Sequence, residues 1–115
     1  SPRAWRRRDR FIGMRPGDRV LLTSLSEAAR LRELASAVRE GALVGLGARD
    51  EVWEARRLCA DFDHVLFIEG SREEIPWAEA WFDVIVDGKS ESPTPEMLRV
   101  LRPGGVILRA DHPGG

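Results

Sequence analysis

The chain has 115 residues, 43% hydrophobic and 32% charged, with a formal net charge of −1 and one cysteine. That length suits one domain with one core, and the near-neutral balance excludes an electrostatic case for nucleic acid or an anionic membrane as partner. No apolar run approaches the roughly 20 residues of a membrane span, and Cys59 alone makes neither a disulfide framework nor a cysteine-based zinc site. No apolar stretch follows the arginine-rich start as a secretory signal requires, so a reduced, cytoplasmic setting is expected.

In chain order, residues 1–14 read as an N-terminal helical segment, with Arg6, Arg7, Arg8 and Arg10 between the anchors Trp5 and Phe11. Asp9 among these arginines favours a solvated face over a phosphate-binding one. A turn over 14–18 leads into a buried strand over 19–23. Ser24 and Glu27 have capping-box spacing, and Leu31, Leu34, Ala35 and Val38 follow the i, i+3, i+4, i+7 pattern of an amphipathic helix. Gly41 suits its C-terminal cap.

Residues 42–46 form the expected second strand and 50–59 the second helix. The run over 64–69 is a third strand, apolar as parallel strands covered on both faces tend to be, and 82–87 is a fourth. Thr94 followed by Pro95 marks a helix start. The stretch over 102–105, Arg-Pro-Gly-Gly, stops that helix, 106–108 is the fifth strand and 110–115 a tail. Strands alternating with helices or long connections imply right-handed crossovers and an open, mainly parallel sheet with helices on both faces. The expectation is a single α/β domain over 1–115.

Between Asp18 and Glu40 there is no glycine. In nucleotide-binding α/β units the first strand-to-helix turn carries glycines, which let backbone N–H groups approach a ligand closely. Here that turn reads Thr23-Ser24-Leu25-Ser26-Glu27. The scaffold is legible and its usual binding loop is replaced.

Several segments together resemble the class I S-adenosylmethionine-dependent methyltransferases, particularly the small-molecule type. They are Arg15-Pro16-Gly17-Asp18-Arg19-Val20-Leu21, Val44-Gly45-Leu46 with Glu54-Ala55-Arg56, and Phe67-Ile68-Glu69-Gly70-Ser71 with Ile75-Pro76-Trp77. The most specific are Phe82-Asp83-Val84-Ile85 and the segment from Glu96 through Leu101-Arg102-Pro103-Gly104-Gly105. The resemblance implies a Rossmann-like five-stranded sheet in the order 3-2-1-4-5, with cofactor at the carboxyl ends of the strands. It also implies which positions would hold S-adenosylmethionine. The glycine-rich loop falls on Thr23 to Ala28, including Ser24; the ribose-gripping acid falls on Gly47; the adenine-contacting aspartate falls on Ser71. All three contacts are lost or weakened while the packing motifs persist.

The expected function is therefore a degenerate methyltransferase-like module that has lost S-adenosylmethionine, carries no cofactor or catalytic residue, and serves in binding or assembly. The family continues past its fifth strand and this chain stops about there, which leaves a sheet edge for a second copy or a protein partner. The alternative is an active methyltransferase with an atypical cofactor loop. A receiver-type signalling domain would want paired acids after the first strand, where Thr23-Ser24 stands. NAD binding fails at the same missing glycines and at Gly47.

The remaining candidates each have a plainer reading. Asp87-Gly88-Lys89-Ser90 at the end of the fourth strand reads as a solvated turn, and Asp111 with His112 as part of the tail rather than an acid–base pair. Trp53, Trp77 and Trp81 read as helix anchors and loop packing, and Cys59 as core. His64 and His112 have no metal-ligand spacing.

Overall fold

A computed structural model describes residues 14–88 and 92–109. The elements are β1 (Arg19–Leu22), a 3₁₀ helix (Leu25–Arg30), α1 (Leu31–Ala37), β2 (Ala42–Gly47), α2 (Arg49–Leu58) and β3 (Val65–Glu69), followed by β4 (Phe82–Asp87), α3 (Pro95–Val100) and β5 (Leu101–Arg109). All the strands are parallel, in the order β3-β2-β1-β4-β5. The expected α/β sheet and its strand order are both present. The expected N-terminal helical segment, the tail and Lys89-Ser90 lie outside the described residues.

Two apolar layers follow from the period-2 alternation of the strands. Val20, Leu22, Leu43, Phe67, Val84 and Val86 face the 3₁₀ helix, α1 and α2, meeting Leu31, Leu34, Ala35, Val38, Val52 and Ala55. Leu21, Val44, Leu46 and Ile85 face the other way, toward Ile75, Met97, Val100 and the half-buried Trp77 and Trp81. Trp77 and Trp81 stack edge to face at 5.2 Å between ring centres and pack on Phe82. Trp53, by contrast, is 64% exposed on α2 and lies outside both apolar layers.

Four local expectations are corrected. Ser24 accepts the N–H of Ser26 at 3.3 Å rather than capping an α-helix. The α-helix begins only at Leu31, after the 3₁₀ helix, with no side-chain cap. Gly41 is required by close packing, because a Cβ there would collide with the Asp18 carbonyl, which accepts the N–H of Ala42 at 3.1 Å. Among the described residues β3 is an edge strand paired on one side, and Leu66 is left 45% exposed instead of covered on both faces. β5 begins at Leu101: the stretch over 102–105 bulges out between the pairs Phe82–Leu101 and Val84–Val106, with Gly104 at φ 84°.

That bulge explains the two segments most specific to the resemblance. Asp83 accepts the N–H of Arg19 at 2.8 Å and the Nε–H of Arg102, joining β1, β4 and β5 at their amino ends. A Cβ at Gly105 would stand 2.8 Å from the Asp83 carbonyl oxygen. These motifs are packing devices, remote from the carboxyl ends where chemistry is expected.

α3 is capped as its sequence predicts, the Thr94 hydroxyl accepting the Met97 N–H at 3.0 Å with Pro95 at the first turn. No helix among the described residues is long and apolar enough to cross a membrane.

Candidate functional site at the carboxyl ends of the strands

In an open parallel sheet, ligands bind outside the carboxyl ends of the strands, at the point where the chain order reverses. Here that point lies between β1 and β4, the central neighbours whose next partners, β2 and β5, lie on opposite sides. The residue just past β1 is Thr23 and the last residue of β4 is Asp87. The Thr23 N–H donates to the Val86 carbonyl at 3.0 Å, prolonging the pairing, and its hydroxyl donates to Asp87 Oδ1 at 2.6 Å.

A third residue completes the cluster. Arg72, in the turn after β3, donates from Nε to Asp87 Oδ1 at 3.2 Å and from Nη2 to Asp87 Oδ2 at 2.9 Å. Nη2 also donates to the Ser92 carbonyl at 3.0 Å. Asp87 is 2% exposed and Arg72 7%. A charge is buried at tolerable cost only when paired and hydrogen-bonded, and here both carboxylate oxygens are engaged. The reading of 87–90 as a solvated turn is thus corrected at Asp87: the side chain turns inward because a fitting cation is folded over it.

The backbone around Arg72 is held by α3. The Thr94 hydroxyl donates to the Arg72 carbonyl at 2.5 Å, and Glu96 Oε1 accepts the Ile75 N–H at 3.1 Å. Arg99 donates to the carbonyls of Ile75 and Trp77 at 2.8 and 2.9 Å, and to both carboxylate oxygens of Glu96. The Arg99 guanidinium and, secondarily, the Ile75 N–H hold the Glu96 carboxyl down at about 2.

The second half of the site is apolar. Leu25, 2% exposed, lies over the end of β2. A Cβ at Gly47 would stand 3.1 Å from Leu25 Cβ and 2.8 Å from Glu51 Oε1, and one at Gly45 would stand 2.7 Å from Leu25 Cδ2. Glu51 is engaged in turn, accepting the Ala48 N–H at 2.9 Å at the start of α2. Gly47 therefore fits because Leu25 fills the space above it.

The four positions marked from the sequence all lie at this end of the sheet, and they do not converge. Thr23 is buried on Asp87. Ser24 is half-buried, its Oγ 2.8 Å from the Ser26 Oγ. Gly47 lies under Leu25. Ser71 is exposed and serves its own turn, its Oγ accepting the Glu73 N–H at 3.3 Å. Sequence reasoning missed Arg72 and Leu25. Leu25 carried a signal, a large apolar residue where a glycine was expected; Arg72 carried none.

Elsewhere, Cys59 is buried in the first apolar layer, which pushes its thiol up. His64 Nε2 lies 2.7 Å from the Ala35 carbonyl oxygen. A shallow depression on the outer face of α2, lined by Arg49, Asp50, Trp53, Glu54 and Arg57, lies along one helix and brings no convergent chemistry together. Among the described residues, no three histidine, cysteine or acidic side chains are grouped to hold a metal.

Strand order, parallel pairing and the placement of the helices define the class I S-adenosylmethionine-dependent methyltransferase-like fold. No protein-family model and no curated protein matches the chain in sequence. Solved structures match it in fold. A chain from the Haloferax volcanii complex of the Trm112 methyltransferase activator with its assigned methyltransferase superposes with a TM-score of 0.68 at 24% identity, over 82% of this chain and 45% of that one. A SAM-dependent methyltransferase from Aquifex aeolicus gives 0.62 at 22% identity, over 77% and 53%. The [4+2]-cyclase SpnF gives 0.65 at 21% identity, over 82% and 38%. The chain thus spans about half or less of the length of these proteins.

Proposed function

We propose that this chain is a methyltransferase-like module that does not bind S-adenosylmethionine and that serves in binding or assembly. One observation carries the reading: the crevice at the switch point is occupied by the chain's own side chains, Arg72 on Asp87 and Thr23, with Leu25 over Gly47 beside them. A nucleoside entering there must break a buried ion pair and displace a buried leucine. It would also find no carboxylate at position 47 for its ribose hydroxyls. Forgoing two or three hydrogen bonds of the charge-assisted kind, at roughly 1.5–3 kcal/mol each, weakens affinity by several orders of magnitude.

Fold alone does not supply methyl transfer, since functions are grafted on shared scaffolds, and the neighbours in fold include a protein named as a cyclase. The partner in this reading is a second copy or another protein, met along the outer edge of β5, beyond which no strand lies among the described residues. The Haloferax neighbour, which is paired with an activator protein, lends support to protein partnering. A reducing, cytoplasmic setting belongs to the same proposal, supported by the buried free thiol of Cys59.

Isothermal titration of the purified chain with S-adenosylmethionine, and separately with its demethylated product, tests the reading. No heat of binding is expected up to millimolar ligand. Micromolar binding of either would overturn it and make the turn over 23–28 a new kind of cofactor site. Acceptor screening would then test the alternative, an active methyltransferase with an atypical cofactor turn.

A further inference from the structure

We propose that the switch-point crevice is a receptor for a planar, forked cation and that Arg72 is its resident, intramolecular occupant. The inference rests on the reading above, in which side chains fill the crevice, and adds what the crevice would accept. Its anionic half belongs to the sheet. Asp87 ends β4, and Thr23, just past β1, donates to Asp87 Oδ1 at 2.6 Å. These are central strands, each paired on both sides. The cationic half comes from a surface turn closed by two backbone hydrogen bonds between Ser71 and Glu74, at 3.2 and 3.0 Å. From that turn the Arg72 guanidinium reaches Asp87.

The acceptors select the class of cation. Two adjacent N–H groups of Arg72 reach the two oxygens of Asp87 side by side, at 3.2 and 2.9 Å, and Nη2 continues to the Ser92 carbonyl at 3.0 Å. Parallel acceptors of this kind suit a guanidinium or amidinium fork, whereas an ammonium is a point charge that cannot span both oxygens in one plane. The turn has anchors besides the guanidinium: Thr94 holds the Arg72 carbonyl and Glu96 holds the Ile75 N–H. Truncating Arg72 would remove the guanidinium and leave the buried Asp87 carboxylate with the Thr23 hydroxyl in place of a cation, which is destabilising until a cation returns.

Arg72→Ala is therefore expected to unfold at a lower temperature than the parent, and methylguanidinium at millimolar concentration and constant ionic strength should restore it. The rise should be saturable, roughly 5–10 °C at ten times the dissociation constant. The parent protein, its crevice filled, should not respond, nor should Arg72→Ala combined with Asp87→Asn. Equal restoration by methylammonium or sodium would overturn the proposal, as would a variant as stable as the parent. Should Arg72→Ala be unfolded alone, recovery of its circular dichroism in methylguanidinium supports the proposal and failure to recover overturns it. Binding of S-adenosylmethionine to the parent would sink the functional reading above, while the response of Arg72→Ala to methylguanidinium is read separately.

Discussion

Gly47 is small for a reason that lies on another element. Leu25 occupies the volume that a side chain at 47 would need, and Glu51 Oε1 approaches the same point. Restoring an acid there is therefore a packing change before it is a binding change. Gly47→Asp would press its Cβ on Leu25 and set its carboxylate beside that of Glu51. Overpacking of this kind destabilises by about 1–3 kcal/mol, and the like charges add to it. Urea unfolding should show a lower midpoint with an unchanged slope, and titration should show no gain of S-adenosylmethionine affinity. A Gly47→Asp variant as stable as the parent would mean that Leu25 does not confine the position. Arg72 teaches the opposite lesson about legibility. Thr23 and Asp87 could be placed at strand ends from hydrophobic pattern alone, whereas nothing around Ser71-Arg72-Glu73 announces that this arginine folds under the turn. A buried ion pair between residues 15 apart is a tertiary fact, without local period or motif.

Among the elements, α3 is short, six residues, and its role is to hold the segment after β3. Through Glu96 and Arg99 it fixes both sides of Ile75, and the Glu96 carboxyl stands at about 2 against an ordinary 4.5. The Arg32 guanidinium holds Asp61 in the same way, at about 2 against 3.8. A carboxyl depressed on folding contributes stability that is fully present above its unfolded value and is lost as pH falls through its folded one. Melting temperature should thus decline as pH drops from about 4.5 toward 2. Glu96→Gln should lie below the parent at neutral pH and converge with it near pH 2. Because both pairs are solvent-accessible, salt should narrow that gap. A gap that stays constant down to pH 2 would remove the Glu96–Arg99 pair as its cause. The start of α3 was readable at Thr94-Pro95, since cap and proline act locally. The start of β5 was not: Arg-Pro-Gly-Gly reads as a stop, and only pairing with β4 turns it into a bulge inside a strand.

At the scale of the whole molecule, the fold was more legible than the site, because alternation of strands and helices constrains topology while occupancy of a crevice depends on side chains from distant segments. The sheet runs, among the described residues, from β3 on one side to β5 on the other. Among the described residues no strand lies outside β5, whose Val106 and Ile107 are half-buried at the margins of the two apolar layers. Protein edges are guarded by charge, proline or irregularity; here Arg102, Pro103 and the bulge protect the beginning of β5 and Arg109 its end, leaving 106–108 flat and apolar. A two-fold pairing of two such edges would run them antiparallel and continue the sheet through both copies, with the same patch used twice. Sedimentation equilibrium across a range of protein concentrations should accordingly show reversible self-association. Val106→Lys should shift the population to monomer, because a charge at that edge would be buried by pairing and tolerated without it, and circular dichroism should confirm that the variant remains folded. A parent chain that stays monomeric at every concentration would rule out self-pairing along β5, and assembly would then require a protein of a different kind.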